Sequence, residues 1–256
     1  MWTEKYRARL IDDISSQPVV KQVMRSVVQG SGMCNTLFHG PSGTGKTSAA
    51  HAVCRALFGP RLFPDRVLDI NAGDESGIAM VRDRIKRFSM LMLGAKDPGW
   101  PCPDIKVVIL DEADSLTIEA QSALRNLMET SAHNTRFIMI CNKITRIIDP
   151  IASRCQLFFF PSIPRGAIRE HLLRVLAAEG LTDPNDVLRD VAGAAGGDMR
   201  AAINMMEMCR DGDHRSLDRR AFDILTGKPP SGVILGPSHR ETRVWSCCSC
   251  TYTPML

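Results

Sequence analysis

The sequence predicts an α/β fold, a parallel sheet over residues 1–161 followed by a small all-helical domain over residues 162–226. Three observations predict it. Five short apolar runs, Thr36–His39, Val67–Ile70, Val107–Leu110, Phe137–Cys141 and Leu157–Phe160, carry almost no polar alternation, the pattern of parallel strands buried on both faces. Helical patterns separate the runs. After Pro164 the strand pattern stops and four helices follow, at Ala167–Glu179, Val187–Ala195, Met199–Arg210 and Leu217–Leu225, punctuated by Gly180, Gly196-Gly197 and Gly212.

In the helix after Asn71, the residues Ile78, Val81, Ile85, Phe88 and Met92 recur at steps of three and four and are expected on one face. The proline-containing stretch Gly94–Asp104 reads as a loop. Asp198 stands just before the apolar residues of the third C-terminal helix and is its expected N-cap. Residues 227–256 turn to Gly, Pro, Ser, Thr and Cys without periodicity and read as a disordered or loosely docked tail.

Composition fits a globular chain of 256 residues, with 44% hydrophobic and 23% charged residues, enough apolar mass for a core and too much for a disordered protein. No apolar run approaches the roughly 18 residues of a membrane span, and the opening Met1-Trp2-Thr3-Glu4-Lys5-Tyr6-Arg7 lacks the apolar stretch of a signal peptide. The expectation is a soluble intracellular protein with no membrane partner. The net charge of +4, half of it in the tail, is too weak for a global nucleic-acid field, so any such binding needs a local patch. Nine cysteines, six of them scattered singly, suggest buried thiols rather than disulfides. Cys247, Cys248 and Cys250 stand too close together to enclose a tetrahedral ion with a distant His239.

Gly40-Pro41-Ser42-Gly43-Thr44-Gly45-Lys46-Thr47 fits the phosphate-binding loop, with a predicted strand before it and a predicted helix after. Its glycines allow backbone N–H groups to turn around a β-phosphate at a positive helix end. Lys46 would reach the β- and γ-phosphates, and Thr47 would offer a hydroxyl to Mg²⁺. The run Val107–Leu110 ends in Asp111-Glu112-Ala113-Asp114. Asp111 on a neighbouring strand would hold Mg²⁺ through water, and Glu112 would orient and deprotonate an attacking water. An acidic cap on the next helix, by Asp114 or Ser115, is compatible with both roles. Asn142, alone, reads as a turn residue. Spacing leaves Arg154 and Arg200 open between solvated surface arginines and guanidinium groups that stabilise phosphate charge.

These motifs resemble the small subunits of replication factor C, the AAA+ sliding-clamp loaders, over roughly residues 2–230. The resemblance rests on Trp2–Arg7, the phosphate loop, Asn71-Ala72-Gly73-Asp74-Glu75, Asp111–Ser115 and Gln121–Arg125, and on Ile147–Cys155 with its Ser153-Arg154-Cys155, and Gly197–Ala202. It implies an AAA+ P-loop ATPase with a helical lid, acting with ATP and Mg²⁺ to load the replication clamp onto primer–template DNA. Implied partners are the other replication factor C subunits, the sliding clamp (proliferating cell nuclear antigen) and DNA; the implied location is the nucleus. By the same resemblance Asn142 is the sensor of the attacking water, and Arg154 an arginine finger serving the neighbouring subunit. Arg200 is a second sensor acting in cis. Tyr6 and Arg7 line the adenine pocket, and Gly40, Ser42, Gly43, Thr44, Gly45 and Ser48 join Lys46 and Thr47 around the nucleotide.

The chain departs from the family in places. Ala8 replaces a proline after Tyr-Arg, and Gly73 and Ser76 replace a serine and an arginine. The tail stands where the family continues into a helical collar. On the helix after Asn71, Arg82 and Lys86 lie one turn apart, a candidate contact to DNA phosphates balanced against a solvated helix face. Two rival readings remain: a nucleotide-binding interaction protein that joins no productive ring, and an AAA+ protein of recombination or replication restart.

Overall fold

The computed structural model describes residues 1–13, 18–73, 78–94, 96–183, 185–210 and 216–227. The elements run α1 (Trp2–Lys5), α2 (Pro18–Ser26), β1 (Thr36–His39), α3 (Lys46–Arg66), β2 (Val67–Asn71), α4 (Ile78–Met90), β3 (Lys106–Asp111) and α5 (Ile118–Thr130). They continue with β4 (Thr135–Cys141), α6 (Asp149–Ala152), β5 (Gln156–Phe159), α7 (Arg165–Glu179), α8 (Val187–Ala194), α9 (Met199–Met208) and α10 (Arg219–Leu225). The strands form one parallel sheet in the order β2-β3-β4-β1-β5.

Continuous apolar strands follow from burial on both faces. Val107 and Ile109 of β3, Ile138 and Ile140 of β4 and Phe38 of β1 face one layer, against Ala49, Val53 and Leu57 of α3. The alternate residues Val108, Leu110, Phe137, Met139 and Leu37 face the other, against Ile85 of α4 and Leu124 and Met128 of α5. The fifth strand differs from the expectation of double burial. It lies at the sheet edge, and its Leu157 and Phe159 are 47% and 58% exposed. An edge strand has a neighbour on only one side, so its apolar run is only partly covered.

Helix α4 buries Ile85 and Phe88, as its pattern predicts, but ends at Met90; Met92 lies beyond the helix and is 95% exposed. The side chains of Ile78 and Val81 lie outside the described residues. At the opposite edge of the sheet from the strand C-termini, buried Lys106 donates to the Phe88 carbonyl at 2.6 Å. Arg66 likewise donates to the Gly94 carbonyl at 2.9 Å. Two cations thus satisfy carbonyls at and beyond the end of α4. Burial, and secondarily the Arg66 charge, hold the Lys106 ammonium below the usual lysine range.

The four C-terminal helices enclose a second core of Ile168, Leu172, Val175, Val187, Leu188, Val191, Ile203, Met206 and Phe222. Trp2 inserts into it from α1. The Trp2 backbone N–H donates to Glu207 at 3.0 Å, and the Tyr6 hydroxyl and Lys5 ammonium both donate to Glu179 Oε1 at 2.6 Å. The N-terminal helix is therefore anchored to the C-terminal helical layer, across the chain from where it starts.

Cys54, Cys102, Cys141 and Cys209 are buried, while Cys34 is exposed, unlike the expectation of buried thiols. Burial pushes the Cys141 thiol up to about 12 and that of Cys209 to about 11, so both stay protonated. Among the described residues no helix is long and apolar enough to cross a membrane. Residues 228–256, with Cys247, Cys248, Cys250 and His239, lie outside the described residues, as do Asp74, Glu75 and Ser76.

Candidate active site

The strand order brings the motifs together. In register, His39 at the end of β1 stands beside Cys141 of β4, Leu110 beside Met139, and Asn71 beside Asp111. The loop Gly40–Gly45, the Asp111-Glu112 pair and Asn142 therefore all emerge at one edge of the sheet, at strand C-termini, where open α/β sheets hold ligands. A cleft of about 190 Å³ opens there, walled by residues 42–48, Asp111, Glu112 and Asn142 and closed over by Met199, Arg200 and Ile203 of α9.

Gly40 and Gly43 carry φ of +145° and +63°. A side chain at Gly40 would collide with the Phe160 carbonyl oxygen, and one at Gly43 with the Asp198 carboxylate. Glycine is required at both for contact, not only for conformation. Lys46, the first residue of α3, is 6% exposed. Its ammonium donates to the carbonyls of Gly40 at 2.8 Å and Pro41 at 2.6 Å, and to Asn142 Oδ1 at 3.0 Å. Burial pulls this ammonium below the usual lysine range, with the Asp111 carboxylate opposing and Arg200 adding to the fall.

Thr47 donates its hydroxyl to Asp111 Oδ2 at 2.6 Å, while Asp111 Oδ1 accepts from the Glu112 N–H at 2.9 Å. A hydroxyl and a carboxylate side by side at a phosphate loop are an oxygen donor set suited to Mg²⁺. Glu112 adopts left-handed backbone angles, φ +54°, a conformation non-glycine residues hold at a cost of about 1–3 kcal/mol. Its carboxylate leans over Gly73, where a side chain would collide with Oε2. Gly73 thus makes room for Glu112 in this orientation.

Asp114 is neither an idle acid nor a helix cap. It accepts from the backbone N–H groups of Asn142 at 3.3 Å and Lys143 at 3.1 Å, pinning the segment that carries Asn142. The α5 cap is Thr117, which accepts from the Ala120 N–H at 3.3 Å. This corrects the sequence expectation of a cap at Asp114 or Ser115; the cap lies three residues beyond the end of the acidic run.

The helical layer meets the phosphate loop directly. Asp198, the N-cap of α9 as expected, accepts from the Ala201 N–H at 2.9 Å through Oδ1 and from the Ser42 hydroxyl at 2.9 Å through Oδ2. The Met199 N–H donates to the Gly43 carbonyl at 3.1 Å. The cap and the loop share one carboxylate, and Arg200 follows it in the first turn, exposed toward the cleft. Replacing Asp198 by alanine is expected to destabilise the fold by about 1–2 kcal/mol through the lost cap, and to free the helix from the loop. Thermal melts with and without nucleotide measure both effects.

Tyr6, Arg7 and Ala8 line the same cleft. Tyr6 offers its ring, since its hydroxyl is bonded to Glu179. Arg7 donates through Nε to the Ser48 hydroxyl at 3.3 Å. Arg154 is elsewhere: it lies at the end of α6, bridged to Glu129 at 2.8 Å and donating to the Pro150 carbonyl at 2.6 Å, with 40% of its side chain exposed. Arg82 and Lys86 are exposed on α4, also away from the cleft. Sequence reasoning missed the loop-to-helix bond of Ser42, the pinning role of Asp114, and His171, which also lines the cleft.

Comparison with known proteins gives this geometry a family. The ATPase family associated with various cellular activities (AAA) matches residues 36–162. Replication factor C subunit 2 of Oryza sativa subsp. japonica is 43% identical over 91% of this chain and 69% of its own length. The chain belongs to the replication factor C family. Replication factor C subunit 4 of Homo sapiens is 42% identical over 92% of this chain and 65% of its own length. The chain thus spans about two thirds of the curated relatives it matches. Among solved structures, the Thermotoga maritima RuvB Holliday junction branch migration motor superposes with a TM-score of 0.65 at 16% identity, over 87% of this chain and 71% of that one, a likeness of fold alone. The chain is thus an AAA ATPase of the replication factor C family.

Proposed function

We propose that this chain is an ATP-binding and ATP-hydrolysing subunit of a sliding-clamp loader, working in the nucleus with other replication factor C subunits, the clamp and primer–template DNA. The observation that carries the reading is the convergence of Lys46, Thr47, Asp111, Glu112, Asn142 and Arg200 on one cleft while Arg154 lies outside it. Lys46 leaves its carbonyl partners for the β- and γ-phosphates, and the loop N–H groups hold the triphosphate. Thr47 and Asp111 would hold Mg²⁺, which would offset phosphate charge. Asn142, held by Asp114, positions the attacking water, and Glu112 takes its proton. Arg200 binds the γ-phosphate from α9, so triphosphate and diphosphate states differ in how firmly the helical layer is held. Arg154, exposed and held by a surface ion pair, is free to enter a neighbouring subunit's cleft. Tyr6 and Arg7 bound the base.

The test of this reading is ATP turnover by the chain assembled with replication factor C subunits. Stimulation by clamp and primer–template DNA is the expected result; turnover indifferent to both would favour an AAA protein of another task. For DNA, Arg82 and Lys86 point outward one turn apart on α4, and they are proposed to contact backbone phosphates. An Arg82→Ala/Lys86→Ala double variant of the assembled complex is expected to bind all sequences more weakly and to lower the salt slope of binding by about 2. An unchanged slope would return both residues to a solvated helix face.

A further inference from the structure

The start of α9 is tied to two successive residues of the phosphate loop. The Ser42 hydroxyl donates to Asp198 Oδ2 at 2.9 Å, and the Met199 N–H donates to the Gly43 carbonyl at 3.1 Å. The Asp198 carboxylate lies so close against Gly43 that no side chain fits there. On its other side the turn before α9 rests on the segment between β5 and α7, where the Ile163 N–H donates to the Gly197 carbonyl at 3.1 Å. Asp198 uses both carboxylate oxygens. Oδ1 accepts from the Ala201 N–H at 2.9 Å and caps the helix, while Oδ2 is given to the loop. The second bond is charge-assisted, the stronger class of hydrogen bond.

Arg200 lies two residues beyond Asp198, in the first turn of α9, exposed and lining the cleft. Among the described residues its side chain has no hydrogen-bond or ion-pair partner. Its charge reaches Lys46 across the cleft and helps to lower that ammonium, so two cations face one space. With no contact of its own, the guanidinium stands where the first turn of α9 places it, and that turn is placed on the loop by Asp198 and Met199. We propose that Ser42 and Asp198 are a positioning pair for Arg200: resting on the nucleotide reading above, their bond sets the reach of Arg200 to a γ-phosphate and so the preference of the site for triphosphate over diphosphate. A diphosphate held by the loop N–H groups and Lys46 does not depend on where α9 begins. A γ-phosphate bound from α9 does, because a shift of about 1 Å in a positioning group is enough to weaken what it holds. The Met199–Gly43 backbone bond persists when either side chain is changed, so the effect is that of one hydrogen bond and not of a detached helix.

Calorimetric titration of the full chain with MgADP and with the magnesium complex of β,γ-imido-ATP, which is not hydrolysed, tests the proposal. Ser42→Ala is expected to lower the ratio of triphosphate to diphosphate affinity about 3- to 10-fold, the worth of one hydrogen bond. Ser42→Thr keeps the hydroxyl and should restore the ratio. Asp198→Ser still caps the helix but has no second oxygen for the loop; it should lower the ratio as far as Ser42→Ala, and the double variant no further than either single one. In an Arg200→Ala background, Ser42→Ala should change the ratio by less than about twofold. A purely structural role would move both nucleotides together. An unchanged ratio in Ser42→Ala, an equal loss of both nucleotides, or a full effect that persists without Arg200, as a hydroxyl touching phosphate itself would give, would overturn the proposal. A wild type that binds neither probe would overturn the nucleotide reading beneath it, and the proposal with it.

Discussion

Replacing Glu112 with glutamine is expected to leave ATP binding within about twofold of the wild type and to lower hydrolysis at this site by about 10²–10³-fold, the scale of a lost general base. Glutamine has the shape of glutamate and fills the space over Gly73, so the left-handed turn after β3 and the bonds of Asp111 to Thr47 and the Glu112 N–H persist. What is lost is a group that can take a proton. Single-turnover hydrolysis beside equilibrium binding separates the two effects. A parallel loss of binding would mean that Glu112 holds the nucleotide rather than the water. An unchanged rate would mean that the proton goes elsewhere.

Replacing Arg154 with alanine is expected to act in the opposite place. The residue touches no part of its own cleft, so the chain should bind ATP normally and melt within about 1 kcal/mol of the wild type, the worth of one surface ion pair such as that to Glu129. On the function proposed above, the neighbouring site of the assembled complex would lose its guanidinium, and hydrolysis there should fall by at least about 10³-fold. Arg154→Lys keeps the charge without the planar fork and should recover little of the rate. A large loss of stability would assign Arg154 to holding α6 against α5 instead.

How much of this was legible in the sequence depended on how local each feature is. The phosphate loop, Asp111-Glu112 and the Asp198 cap are each written in a few consecutive residues, and the strand runs before them gave their place on the sheet. The alternation of Val107, Val108, Ile109 and Leu110 between two cores follows from a parallel strand covered on both sides. The same pattern at Leu157–Phe160 misled, because an apolar run does not reveal that its strand lies at the edge of the sheet. A cap at Asp114 or Ser115 was expected where Thr117 serves, because all three have cap chemistry near the start of α5; only the path of β4 shows that Asp114 is used by the Asn142 segment. The bond from Ser42 to Asp198 joins residues 156 apart, and a lone histidine on an amphipathic helix carries no motif at all. Such features exist only once the helical layer is folded over the loop.

The division of labour between Glu112 and Arg154 is the centre of this account, and one measurement addresses it. In an assembled complex whose other subunits carry a disabled phosphate-loop lysine, only this chain's site can turn over. The single-turnover rate there should fall about 10²–10³-fold with Glu112→Gln and be untouched by Arg154→Ala. A rate that survives Glu112→Gln, or that falls with Arg154→Ala, would contradict a site completed by the neighbouring subunit.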